Sequence, residues 1–214
     1  MKIRKLATAA VALTLAGSIA IASPAAAGDD GPPTIAGLLA AQGDGPDRNW
    51  YDFDILAAGV GVAADALPPD VVAGLDDPNF GPVTVFIPND RAFQALVADL
   101  FGWKYWFARE STILEKVASL GPEQLATVIS YHVLSPELGE IDSKTALSVP
   151  RGTKLTTLQG GDIRVYPKVR WGTAVLADND RNDRNPWLIR SKLDIQASNG
   201  IAHGISRVLR PVDL

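Results

Sequence analysis

The sequence predicts a single α+β domain built from several α-helices and short strands. Three observations carry this. From residue 34 to residue 132, apolar residues recur at helical spacing. After Gly139 the chain changes to short β-branched runs separated by turn residues. Near the end, Asn199-Gly200 separates two such runs, a strong local hairpin signal. Helices first and strands later is the order of an α+β fold, not of alternating βαβ units.

The elements follow in order. Met1–Lys5 is basic, Leu6–Ala22 is apolar, Ser23-Pro24 breaks the run, and Ala25–Ala27 are small. That order is a secretory signal. Residues 1–27 are therefore expected to be removed, 28–33 to be a linker and 34–212 to fold. Thr34 caps a brief helix with Ile35, Leu38 and Leu39 on its apolar face. Asp52 is placed to cap a helix carrying Phe53, Leu56 and Val60. Pro68-Pro69 and Asp76–Asn79 read as punctuation. Val83–Ile87 is a buried strand, and Asn89-Asp90 opens a helix with Phe93, Leu96, Val97 and Leu100 on one face. An aromatic stretch follows, Trp103-Lys-Tyr105-Trp106-Phe107. Ser111 starts a helix that Gly121-Pro122 ends, and Pro122 opens the next, where Leu125, Val128, Ile129 and His132 share a face. The strands expected beyond are Lys154–Leu158, Ile163–Tyr166, Ala174–Leu176 and Lys192–Gln196, then the run from Ile201 to Ile205.

Composition excludes several functions. The 214 residues are 47% hydrophobic and 21% charged, too rich in core formers for a disordered chain. The formal charge of −4 becomes −7 once Lys2, Arg4 and Lys5 leave with the signal. A mildly acidic chain without a basic run is a poor match for nucleic acid or an anionic membrane. With no cysteine there is no disulfide framework, thiol nucleophile or lipid-modified terminus. Two histidines, His132 and His203, cannot make a three-His metal site.

Three segments together resemble the fasciclin-like domain family. The first is Thr84-Val-Phe86-Ile-Pro88-Asn89-Asp90-Arg-Ala-Phe93. The second runs from Leu125 through Tyr131-His132 to Leu134, and resembles the family's tyrosine–histidine motif. The third runs from Ala197 through Asn199, Gly200 and His203 to Leu209, and resembles its second signature. They stand in family order, and the resemblance spans Thr34 to about Val212. It implies a β-wedge flanked by helices, used outside cells for adhesion or matrix attachment and not, as a rule, for catalysis. This chain departs from the family at Ser206, where the family carries aspartate. The aromatic stretch and the loop Asp178–Pro186 are further departures, both additions to a minimal domain.

Each candidate site has two readings. The resemblance implies adhesion through Tyr131 and His132. The helical spacing instead sets His132 among apolar residues, where its ring nitrogens need partners. His203 shares a strand face with Ile201 and Ile205, and a core hydrogen bond is the preferred reading. Asp178, Asp180 and Asn182 alternate like the start of a calcium loop, but the sixth position is Asp183 and the twelfth is Ile189. The loop lacks the glycine and glutamate of such a site, so a solvated loop is preferred. Trp103, Tyr105, Trp106 and Phe107 cement two helices if buried. Exposed, they form a surface for sugars, polymers or lipid. Ser130 and Ser198 lie near histidines, but neither sits in a nucleophile elbow. No catalytic, cofactor or metal residue is assigned.

The expected function is recognition of a matrix, cell-surface or polysaccharide partner by a secreted, non-enzymatic, monomeric module of bacterial type. It would be free of a membrane anchor, or held loosely by the envelope. Partner contact is expected at Tyr131, His132, Trp103, Tyr105 and Trp106. The alternative is a carrier of a small apolar or sugar ligand built on the same aromatic stretch.

Overall fold

A computed structural model describes residues 31–213 except residue 44. The expected signal, 1–27, lies outside the described residues. Among those described, no helix is long and apolar enough to cross a membrane.

Thirteen regular elements are described. They are α1 (Ile35–Ala40), α2 (Asp54–Ala63), α3 (Pro69–Asp76), β1 (Val83–Pro88), α4 (Asp90–Phe101), α5 (Glu110–Ala118), α6 (Pro122–His132), α7 (Ser143–Ser148), β2 (Thr153–Thr156), β3 (Asp162–Lys168), β4 (Thr173–Ala177), β5 (Ile195–Ala197) and β6 (Gly200–Ile205). The local code explains most boundaries. The Thr34 hydroxyl accepts from the Gly37 amide at 3.1 Å and opens α1. The Asn89 side chain accepts from the Ala92 amide at 3.1 Å and opens α4. Pro122 occupies the first turn of α6, where its missing N–H costs nothing.

Four sequence expectations are corrected. Asp52 does not cap α2; its carboxylate accepts from the Asn49 side chain at 2.8 Å. The Ile55 amide in the first turn of α2 instead donates to Asp90, far along the chain, at 3.0 Å. Pro68-Pro69 does more than punctuate, since Pro69 opens α3. After Gly139 the chain is not all strand: Asp142 caps α7 by accepting from the Thr145 amide at 2.7 Å. The strand expected from Lys192 begins only at Ile195, because Arg190–Lys192 forms a 3-10 turn.

Two three-stranded sheets result, in the orders β1-β6-β5 and β2-β3-β4. β1 runs parallel to β6, with Val83 opposite Gly200 and Pro88 opposite Ile205. β5 and β6 form the expected antiparallel hairpin, closed by Ser198-Asn199. Neither of those residues has positive φ, so the turn is not centred on Asn-Gly. Bridges at Val85–Val133, Leu134–Thr157, Val175–Trp187 and Leu188–Ile205 stitch the sheets into a wedge.

β1 and β6 are buried on both faces, and two apolar cores follow. Val83, Val85 and Ile87 join the helices in one core. Phe86, Tyr131, Leu134, Ile163, Val165, Leu176 and Ile205 fill the other, inside the wedge. Alternation along β1 sends neighbouring side chains to opposite cores.

Gly200 is required by close approach. A Cβ there would lie 2.1 Å from the Val83 carbonyl oxygen, and its φ of 152° is strained for other residues. Gly200→Ala is expected to destabilise the chain by at least about 3 kcal/mol, because the obstacle is backbone and cannot rotate away. Urea unfolding followed by circular dichroism checks this; wild-type stability in the variant would contradict the register.

Candidate functional site

Tyr131 and His132 end α6 and face inward. Tyr131 is fully buried, and its hydroxyl donates to the Asp162 carbonyl at 2.8 Å, tying α6 to β3. Burial pushes its phenol well above the usual range. The His132 Nδ1 lies 2.7 Å from the Val128 carbonyl, and its Nε2 accepts from the Leu209 amide at 3.0 Å. One donor and one acceptor describe a neutral imidazole. Burial lowers its pKa to about 4. A partner in solution reaches neither side chain, so a contact surface at this pair does not fit the folded chain.

His203 repeats the pattern. Its Nδ1 accepts from the Asp194 amide at 3.2 Å, and its Nε2 donates to the Ile141 carbonyl at 2.8 Å. Burial lowers its pKa as well. Thr84 donates to the Gly139 carbonyl and accepts from the Ile141 amide. Asn199 accepts from the Ile35 amide and donates to the Gly74 carbonyl. These motif residues therefore join segments of the fold. Phe86 and Phe93 fill the two cores, and Pro88 ends β1. No serine hydroxyl meets an imidazole among the described residues; the Ser130 hydroxyl donates to the Ala126 carbonyl at 2.6 Å.

The aromatic stretch lies differently. Gly102, at φ 106°, turns the chain out of α4 into a 3-10 turn over Trp103–Phe107. Buried Gln94 holds that turn against α4 by donating to the Trp106 carbonyl at 3.1 Å. Trp103 is 71% exposed and Phe107 82% exposed. Tyr105 is half-buried, edge-on to Phe101. Trp106 is also half-buried, with the Arg91 guanidinium 4.9 Å above its ring. The rings thus do not simply cement helices.

Trp106 lines both lobes of a groove. One lobe, of about 670 Å³, is lined by Trp103, Asp99, Asn182, Asp183, Arg207 and Arg210, among others. The other, of about 500 Å³, is lined by Tyr51, Arg91, Asn185 and Trp187, among others. Trp106, Arg184 and Arg207 belong to both lobes. The groove therefore presents rings with guanidinium, amide and carboxylate groups between them.

The loop Asp178–Pro186 forms one wall; most of it is exposed and Asp180 and Asp183 accept from the Asn182 and Arg184 amides in local turns, as expected, but ion pairs also tie it to the fold. Asp180 is buried and pairs with Arg210 at 3.1 Å. Arg210 also reaches Asp183 at 3.2 Å and Asp99 at 3.0 Å, while its amide donates to Asp178 at 2.9 Å. A guanidinium sits where a calcium loop would hold its ion. Sequence reasoning missed Tyr51, Arg91, Arg184, Trp187 and Arg207, because they come from separate segments. Their one local signal was a cluster of tryptophan and arginine in otherwise polar loops.

Residues 69–211 match the family profile of the Fasciclin domain. The chain belongs to the fasciclin domain family. That family is generally associated with adhesion or recognition. The fold agrees with a solved pair of fasciclin domains from the insect cell adhesion molecule Fasciclin I, at a TM-score of 0.56 and 17% identity. The alignment covers 83% of this chain and 51% of that one, so this fasciclin domain spans about half of the insect pair. No curated protein sequence matches significantly.

The neutral core imidazole gives a pH prediction. The native pKa of His132, about 4, lies below its unfolded value of ~6.5. Its contribution is full above pH 6.5 and is lost as pH falls toward 4, because the unfolded chain takes up the proton first. The loss amounts to about 3 kcal/mol. Unfolding free energies at several pH values across this window should show a shallower slope for His132→Gln than for the wild type. Equal slopes would mean that another group causes the acid sensitivity.

Proposed function

We propose that this fasciclin domain is a secreted, non-enzymatic recognition module that binds polysaccharide through the two-lobed groove. The observation that carries the reading is the exposed Trp103 set beside Trp106 in the groove, with ring centroids 5.8 Å apart. Tryptophan faces match the apolar C–H faces of sugar rings, while polar groups between them match hydroxyls. Tyr51 and Trp187 continue the aromatic surface into the second lobe. An elongated, open groove with repeated rings suits a chain of sugars better than one small molecule.

The reading as a carrier of a small apolar ligand has less support. The apolar void among Leu56, Val85, Phe93, Val128 and Ile129 measures only about 40 Å³. Ligand pockets run to about 300–1,000 Å³. Secretion is supported by the basic, apolar and small-residue order of residues 1–27. The non-enzymatic reading is supported by histidines held between backbone groups, with no nucleophile against either.

The experiment is a pull-down of the purified chain on a panel of insoluble polysaccharides, with soluble oligosaccharides as competitors. The Trp103→Ala/Trp106→Ala variant, checked for fold by circular dichroism, should bind at least about tenfold more weakly, equivalent to about 1.4 kcal/mol. Unchanged binding by the folded variant would move the contact off this groove. Binding of small soluble sugars with none to polymer would favour the carrier.

A further inference from the structure

A second site lies where three helices begin. Asp54 is the first residue of α2, Asp90 of α4 and Glu110 of α5. All three are buried, at 2%, 0% and 3% exposure. Asp47 and Asp52, from the segment leading into α2, complete the group. One carboxylate oxygen from each of Asp47, Asp54 and Glu110 lies within 4.8 Å of the others. The same holds for Asp52, Asp90 and Glu110. Glu110 belongs to both triads, so the two adjoin.

The oxygens are divided in a telling way. Glu110 Oε2 accepts from the Arg48 amide at 2.7 Å, Asp90 Oδ1 from the Ile55 amide at 3.0 Å, and Asp52 Oδ2 from the Asn49 side chain at 2.8 Å. In each case the other oxygen is buried with no partner: Glu110 Oε1, Asp90 Oδ2 and Asp52 Oδ1. Asp54 Oδ1 is bare as well. None of the ion pairs among the described residues involves any of these five acids. One oxygen of each of Glu110, Asp90 and Asp52 is used to orient the carboxylate, and the bare oxygens belong to members of two triads that share Glu110. Four buried carboxylate oxygens without donors are costly unless a cation completes them.

We propose that this pocket binds one calcium ion. The donors are all oxygen, which suits a hard cation and not zinc. Calcium accepts six to eight oxygens at ~2.3–2.6 Å, so two oxygens on one ion are at most about 5 Å apart. Within each triad the observed spacings meet that limit, and Glu110 is common to both. Magnesium needs a smaller octahedron and keeps several waters, which a buried all-carboxylate pocket does not favour. The ion ties the segment from Asp47 to Asp54 to the starts of α4 and α5. That segment carries Tyr51 to the rim of the groove, yet the site stands independently of what the groove binds.

The test uses the purified chain, stripped with a chelator and dialysed. Without a cation, burial and the neighbouring acids raise Asp54 to about 6 and Asp90 to about 10, so near pH 8, where the work is done, Asp54 is ionised and calcium must displace a proton from Asp90. Titration calorimetry with calcium chloride should show one ion per chain, and calcium should raise the melting temperature beyond matched sodium chloride. Glu110→Gln and Asp90→Asn should each abolish both effects; both can keep the amide-accepting oxygen. Asp54→Asn replaces either variant that fails to fold. Three results would overturn the proposal: no calcium uptake by the wild type, uptake unchanged in the folded variants, or magnesium binding as tightly as calcium.

Discussion

The parallel pairing of β1 with β6 is the constraint on which the rest of the structure depends. It brings residues 83–88 against residues 200–205, with every element from α4 to β5 between them in sequence. Closing so long a loop costs chain entropy before any contact repays it. The repayment comes from strands buried on both faces. The approach is close enough that only glycine fits opposite Val83. Once the pairing forms, Asn199 reaches Ile35 and Gly74, which docks α1 and α3. His203 reaches Ile141, which fixes the turn before α7.

Buried polar side chains repeat that task elsewhere. His132 joins α6 to the Leu209 amide, Tyr131 joins α6 to β3, and Arg210 gathers acids from α4 and from the loop after β4. Each spends its hydrogen-bonding groups on distant backbone or charge. Misplacing one would leave a buried polar group unpaired, so each enforces register as well as contributing energy. The residues that identify the family are for this reason mostly residues that hold the fold. They are poor places to seek a partner's footprint. The exposed rings of Trp103, Phe107 and Trp187 lie instead on the two additions, the aromatic turn after α4 and the loop between β4 and β5. These additions face one another across the groove.

The acidic cluster shows how tertiary structure changes the meaning of local signals. An acid in the first helical turn is ordinarily a favourable match to the helix dipole. Asp54, Asp90 and Glu110 each satisfy that rule alone. Brought together and buried, they become a concentration of negative charge with bare oxygens. Asp90 illustrates the shift most clearly. Its position after Asn89 marks a helix start, but its carboxylate serves the first turn of α2.

Much of the secondary structure was legible because its causes are local. Thr34 and Asn89 accept from amides three residues on, Gly121-Pro122 divides two helices, and apolar spacing marks the buried faces. The three motifs sufficed for the family. Where the local cause was weak, legibility failed. α3 hides behind Pro68-Pro69, and α7 is short with a polar face. The aromatic stretch was visible as a feature, but its exposure was not. That depends on whether another segment covers it, and here Gln94 and Gly102 turn it outward. By itself the sequence determined most of the elements and the family, since those rest on residues within a few positions of one another. Only the tertiary structure decided which polar groups are buried, what each one bonds, and that Tyr51, Trp106 and Trp187 share a groove. Those outcomes depend on chain segments that meet only when the β1–β6 closure brings them together.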